Sequence, residues 1–375
     1  MREKSFDKLT KTFLALVKAG LWEKESLLSQ NGDIDFQKVY RLAEEQSVIG
    51  VVASGLEYVT DVKLPKEKVL QFVGHTLMLE QQNRAMNDYL AKLIEILRLH
   101  GVYTLLLKGQ GVAQSYERPL WRACGDIDLF LSDNNYTVAK RVLMPLASSV
   151  EEEYVREKHF GMTIDGWEVE LHGHLYSGLS SRVESELDKL QEDTFYGGQV
   201  RSWMNGQTQI FLLKAENDAF YVFTHILQHF YKEGIGLRQV CDWCRLLFRY
   251  RGELDLRMME SRIKRAGLMS EWKAFGALAV DYLGMPVEAM PFYSNSTKLK
   301  KKARLIMEFV LKSGNMGHNR DMSHFSKYPY LIRKCVSMGR RISDLINHAR
   351  IFPLDSLQFF PRIMFNGVRS AIRGE

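Results

Sequence analysis

The stretch that most constrains the fold of this chain is Gly125-Asp126-Ile127-Asp128-Leu129-Phe130-Leu131, two acids one residue apart inside an apolar run. The run predicts a β-strand, and side chains two apart on a strand share a face. Both carboxylates therefore aim at one place. Like charges held together repel, and taking them out of water adds to the cost. Such a pair calls for a cation to receive it. Mg²⁺, which takes one or two carboxylates with water and substrate phosphates, meets that need.

The surrounding chain predicts a setting for this strand. From Ser5 to about Leu99 apolar residues recur three and four apart, as in FDKLTKTFLALVKAGLW and MNDYLAKLIEILRLH, with breaks at Asn31-Gly32 and Leu64-Pro65. This predicts a helical N-terminal segment over 1–99. From His100-Gly101 the texture changes: VYTLLLKG predicts a strand, GVAQSYERPLW a short helix or turn, and NNYTVAKRVLMPLAS a helix capped at Asn134 or Asn135. HFGMTI and WEVELHGHL flank Asp165-Gly166, a tight-hairpin signal. After Gly206 the pattern is helical again. The expectation is α+β: a small mixed-sheet core over 100–205 between the N-terminal helices and a C-terminal helical domain with a basic tail over 206–375.

Two features of the core bear on the paired acids. Glu168, Glu170 and His172 are two apart on the later strand, so they share a face. If that strand neighbours the first, a third carboxylate joins the pair, and three acids can hold two metal ions, one activating a nucleophile and one steadying nucleotide phosphates. Upstream, Lys108-Gly109-Gln110-Gly111 runs from a strand end into a helix, where backbone N–H groups and the positive helix end hold phosphate. Lys108 and Arg122 add charge there.

Strand, KG turn, helix, then WRACGDIDLFL, then VELHGHL resembles the nucleotidyltransferase superfamily shared by the polymerase-beta-like, poly(A) and aminoglycoside nucleotidyltransferases. LLLKGQGVAQSY, WRACGDIDLFL and VELHGHL, with helices fore and aft, more narrowly resemble the bacterial nucleotidyltransferase family called NTP-transferase type five. The resemblance implies a nucleotidyltransferase-type mixed sheet and transfer of a nucleoside monophosphate from an NTP to an acceptor, small molecule or protein, that the sequence does not identify. It implies Mg²⁺ or Mn²⁺ held by Asp126, Asp128 and Glu170, with Glu168 competing for the third place, and nucleotide binding by Lys108, Gly109, Gln110, Gly111 and Arg122. The superfamily turn carries Gly followed by Gly or Ser, whereas Gln110 stands here. The alternative reading is a catalytically weak nucleotide-binding or regulatory protein on the same fold.

Other signals are weaker. Four cysteines, Cys124, Cys241, Cys244 and Cys335, are too few and scattered for a disulfide framework, and no stretch reaches eighteen apolar residues, so the expected location is cytoplasmic. Cys241 and Cys244 form a lone Cys-x-x-Cys in a helical pattern. His225 and His229, one helical turn apart, read as helix packing. From Thr297 onward 16 Lys and Arg face 5 Asp and Glu, leaving 35 against 40 before it. The basic character belongs to the tail, either a solvated helix face or a surface for acidic lipid. No basic groove with interleaved aromatics lies beside the core, which argues against a nucleic-acid acceptor.

Overall fold

The computed structural model describes residues 5–232, 234–315, 339, 343, 345–357, 359 and 361. Cys335 and most of the basic stretch from Tyr330 to Phe352 that precedes residue 345 lie outside the described residues. Four helices come first: α1 (Lys8–Trp22), α2 (Phe36–Glu45), α3 (Ile49–Leu56) and α4 (Lys66–Leu99). Pro65 opens α4, since proline is tolerated where a helix begins. The sheet region follows as β1 (Leu105–Leu107), α5 (Gly109–Ala113), β2 (Asp126–Phe130), α6 (Asp133–Leu143), β3 (Ser149–Val150), β4 (His159–Ile164), β5 (Trp167–His172), α7 (Ser181–Phe195), β6 (Val200–Asn205) and β7 (Thr208–Leu213). Helices α8 (Ala215–Lys232), α9 (Leu237–Arg249), α10 (Leu256–Ala266), α11 (Met269–Leu283) and α12 (Thr297–Ser313) complete the α+β fold.

The seven strands form one mixed sheet in the order β3-β4-β5-β2-β1-β7-β6. β2 lies at its centre, antiparallel to β1 and parallel to β5. Its alternation divides the core. Ile127 and Leu129 join a cluster with Met86, Leu90 and Leu97 of α4 and Tyr136 and Leu143 of α6. Asp126, Asp128 and Phe130 face the other way, and Phe130 joins the larger core built by α1, α8, α9 and α11. There Phe223 stacks on Trp243 at 5.0 Å and meets Trp272 edge-on at 4.8 Å. Each such ring pair adds about 0.5–1.5 kcal/mol beyond area burial. The acids thus sit where the sheet meets the C-terminal helices.

The β4–β5 turn is the tight hairpin expected: Ile164 pairs with Trp167, and Asp165 and Gly166 both take positive φ, at 51° and 82°. Two expectations need correction. The cap of α6 is Ser132, whose backbone is extended, while Asn134 and Asn135 already lie inside the helix. The chain after Gly206 is also not helical at once. β7 pairs with β6 through a two-residue turn and enters the sheet beside β1, with Ile210, Leu212 and Leu213 buried. A short apolar run such as IFLL does not distinguish strand from helix by periodicity, which is why the strand was hidden.

In the described part of the tail, α12 buries Ala303, Ile306, Met307 and Val310 and turns bases outward, the solvated-face arrangement. Among the described residues, no helix is long and apolar enough to cross a membrane.

Candidate active site

The parallel pairing of β2 with β5 brings Asp126 level with Glu168 and Asp128 level with Glu170. Level residues on neighbouring strands share a face, so four carboxylates and His172 project together. They are not equivalent. Asp128 is buried at 1 % exposure, while Glu168 is exposed and accepts a hydrogen bond from Thr163 Oγ1 at 3.1 Å. Glu170 is half-buried and turned toward histidines: His159 Nε2 donates to it at 3.0 Å, and His172 Nε2 lies 3.4 Å away. Glu170, not Glu168, shares its partners with Asp128.

Asp128 is ringed by positive charge. His172 Nε2 donates to its Oδ1 at 2.8 Å, and the Lys108 ammonium approaches the same oxygen at 3.1 Å. Burial works against the Lys108 charge, but Asp128, Tyr221, Asp126 and Glu170 outweigh it and its pKa rises. The same contest raises His172, where burial loses to the hydrogen bonds with Asp128 and Glu170. Burial also disfavours the Glu170 charge. Hydrogen bonds from His159 and His172, with Lys108 nearby, overcome it and hold the pKa far below the ordinary glutamate range. Asp126 goes the other way, raised first by Asp128 beside it and then by burial.

The turn after β1 delivers Lys108. Lys108 takes φ 48° and Gly109 φ 42°, so the chain reverses sharply beneath β2. Gly109 suits its place through its positive φ, and a side chain there would begin 3.3 Å from Cys124 Sγ and 3.4 Å from the Asp126 carbonyl, a tight but not excluded fit. Gly111 has another reason: an added Cβ would come within 2.7 Å of Leu212 Cδ2, so it seats α5 on β7.

The resemblance implies nucleotide binding by Gln110, but its amide nitrogen is engaged inside the fold. Gln110 is buried at 2 % exposure, and its Nε2 donates to Asn83 Oδ1 at 2.8 Å. Asn83, on α4, donates in turn to the carbonyls of Leu120 and Arg122 at 2.8 and 2.9 Å. The residue at the variable place of the turn is a peg between α4 and the segment entering β2. Arg122 also lies deeper than a free charge would: its Nε and Nη2 grip Asp242 of α9 at 3.0 and 2.6 Å. Tyr116 donates to the same carboxylate at 2.8 Å, so this buried pair fastens the sheet region to α9.

A cleft opens over these groups, lined by Lys108, Gly109, Asp126 and Asp128 on the sheet side and by His225, Arg238, Gln239 and Asp242 on α8 and α9, with Arg122 clamped to Asp242 on the α9 side. The packing role expected for His225 is incomplete, because the residue lines this cleft as well as meeting His229, Nε2 to Nε2, at 3.1 Å. Burial and the cations Lys108, His229, His172 and Arg238 hold His225 well below the ordinary histidine pKa. Cys241 and Cys244 are buried at 0 % exposure with both thiols pushed up by burial, which suits packing rather than metal or redox chemistry.

Sequence reasoning missed His159, Arg238 and Gln239. A signal for His159 was present: counting back from the two-residue turn at Asp165-Gly166 places it opposite His172. Nothing in the helical pattern around Arg238 pointed to a site more than a hundred residues upstream.

The donor set fits a divalent cation. Asp128 Oδ2 is buried without a hydrogen-bond partner, and the raised Asp126 shows repulsion that a cation would relieve. His159, Glu170 and His172 also offer ligand atoms all within 4.8 Å of one another. The carboxylates suit Mg²⁺ and Mn²⁺, whereas the imidazole nitrogens of the second set suit softer ions such as Zn²⁺ or Fe²⁺.

A family model described as an uncharacterised nucleotidyltransferase matches residues 32–284, more than half of the chain, and the chain belongs to that family. Neither the curated proteins nor the solved structures gave a match.

Proposed function

We propose that this member of the nucleotidyltransferase family moves a nucleoside monophosphate from an NTP to an acceptor hydroxyl or phosphate. The observation that carries the reading is the buried Asp128 carboxylate, one oxygen unpartnered, standing level with Glu170 and two residues from Asp126 on the floor of the cleft. Asp126, Asp128 and Glu170 would hold Mg²⁺ or Mn²⁺. When bound, the cations supply charge neutralisation for the nucleotide phosphates and a lowered pKa for the attacking group.

The chain's own residues do the rest. His172, hydrogen-bonded to Asp128 and close to Glu170, fixes the direction of both carboxylates. His159 holds Glu170 from the other side. Lys108, carried over the acids by its positive-φ turn, is placed to meet phosphate oxygens while the Asn83–Gln110 peg holds that turn rigid. In the transfer, an acceptor oxygen forms a bond to the α-phosphorus as the bond to the bridging oxygen of pyrophosphate breaks. The acceptor's proton passes to a carboxylate of the triad and from there to solvent.

The reading is tested by thermal-shift titration with each NTP, with and without Mg²⁺ or Mn²⁺, on the wild type and Asp128→Asn. A ligand that binds only the folded state raises the melting temperature. The expected result is a metal-dependent rise for one or more NTPs that Asp128→Asn abolishes. Equal rises in both proteins, or none in the wild type, would move the weight to a protein that has the fold without the transfer.

A further inference from the structure

The α9 wall of the cleft holds hydrogen-bond donors that the fold leaves unanswered. Arg122 is 4 % exposed, and although Asp242 takes its Nε and Nη2, its Nη1 has no partner. Gln239 is 6 % exposed; its Oε1 accepts from the Gly236 N–H at the start of α9, and its Nε2 is left over. Arg238 donates from Nη1 to the Ala123 carbonyl at 3.3 Å, while its Nε is buried and unpaired. All three residues line the cleft that contains Asp126 and Asp128. A buried donor without an acceptor costs about 1–3 kcal/mol. Three on one wall mark a place where an acceptor belongs.

Charge points the same way. The acid on this wall, Asp242, already takes three hydrogen bonds, one from Tyr116 and two from Arg122, and reaches Arg238 through its charge. Burial and neighbouring Arg122 press the Arg238 pKa down, and the opposing charges of Asp242, Cys124 and Asp126 do not restore it. Lys108, by contrast, is answered by Asp128. The cleft therefore has two poles, an acidic floor at Asp126 and Asp128 on β2 and a cationic wall on α9.

We infer that the α9 wall is an oxyanion subsite, in which Arg122 Nη1, Arg238 and Gln239 Nε2 receive phosphate or carboxylate oxygens of a substrate whose other end lies over the acidic floor. The inference deepens the proposed nucleotidyl transfer and takes the same cleft as the site. The anion arrives either as the pyrophosphate end of the nucleotide or as a charged group on the acceptor, the second meaning that the acceptor is itself anionic.

Calorimetric titration of the intact protein with inorganic pyrophosphate and with phosphate, in EDTA so that no cation bridges them to the acids, reads this subsite alone. The expected result is saturable binding to the wild type, weakened about tenfold or more in Arg238→Met and in Gln239→Glu and recovered in part by Arg238→Lys. Gln239→Glu keeps an oxygen to cap α9 and exchanges the donor for a second oxygen with a negative charge, so a folded variant that repels an anion is expected. Circular dichroism melts of each variant verify this. Repeating the titration with an NTP in EDTA separates the sources. A matching loss assigns the wall to the triphosphate, and unchanged NTP binding beside lost phosphate binding assigns it to the acceptor. No anion binding to the wild type, or equal binding to wild type and Arg238→Met, would overturn the inference. Metal-free anion binding that survives in Asp128→Asn, in a protein showing no metal-dependent NTP response, would uphold the subsite while removing the nucleotidyl-transfer reading.

Discussion

The molecule buries acids beside acids in two places and treats them in opposite ways. On β2 and β5, Asp126, Asp128 and Glu170 sit among Lys108, His172 and His159, with Asp126, Asp128 and Lys108 lining an open cleft. On α11, Glu271 is buried at 0 % exposure beside Asp355, with Lys302 opposing weakly. Burial is the first cause acting on Glu271, and Asp355 reinforces it, so its pKa stands well above the ordinary glutamate range. Glu170 is half-buried too, yet cations keep it charged. Burial alone removes charge from an acid; a set of acids kept charged indicates a fold arranged around a cation or an ionic substrate.

The largest expected effect falls on the charged set. Asp128→Asn removes a metal ligand and leaves Lys108 and His172 facing a neutral amide, so nucleotidyl transfer is expected to fall by about 10²–10³-fold, read as pyrophosphate release once an acceptor is in hand. Transfer at the wild-type rate would erase the distinction between the two regions. His172→Leu comes next: with Asp128 and Glu170 no longer aimed by one imidazole, divalent-cation affinity measured with Mn²⁺ by electron paramagnetic resonance is expected to drop by about 10–100-fold. An unchanged affinity would make His172 a packing residue.

Glu271 has its own pH signature. The folded-state pKa of Glu271 lies above the unfolded value, so its contribution to stability is present in full below the unfolded pKa and lost as pH rises through the folded one. Glu271→Gln is therefore expected to melt at a higher temperature relative to wild type at pH 8 than at pH 5. A constant difference across that range would mean that Glu271 is compensated after all. The smallest effect is expected from Glu168→Gln, which shares the face of Glu170 but is exposed and bonded to Thr163. Its Mn²⁺ affinity is expected to stay within about twofold of wild type, as for other surface changes.

The floor of the site was legible in the sequence because it rests on local rules. The two-residue period put Asp126 with Asp128 and Glu170 with His172, and the Asp165-Gly166 turn fixed the hairpin that carries them. The parallel register between β2 and β5 lay beyond those rules, since it depends on a connection of more than thirty residues through α6 and β4. The roof was not legible. Arg238 and Gln239 belong to an amphipathic helix whose pattern reports only which side is buried, and their approach to Asp126 is fixed by tertiary packing of α9 through Arg122 and Asp242. Gln110 was misread for a related reason: a sequence shows that an amide stands in the turn, while only the position of Asn83 on α4 shows which way it points. β7 was hidden because its apolar run is equally good as the start of a helix.

The central claim is that Asp126, Asp128 and Glu170 form the cation-binding floor of a nucleotide site. Anomalous diffraction from crystals grown with Mn²⁺ and a non-hydrolysable NTP tests it most directly. Manganese peaks are expected within coordination distance of Asp126 and Asp128, beside nucleotide phosphates that point toward Lys108 and the α9 wall. Manganese bound only away from these carboxylates, or nucleotide seated outside the cleft, would contradict it.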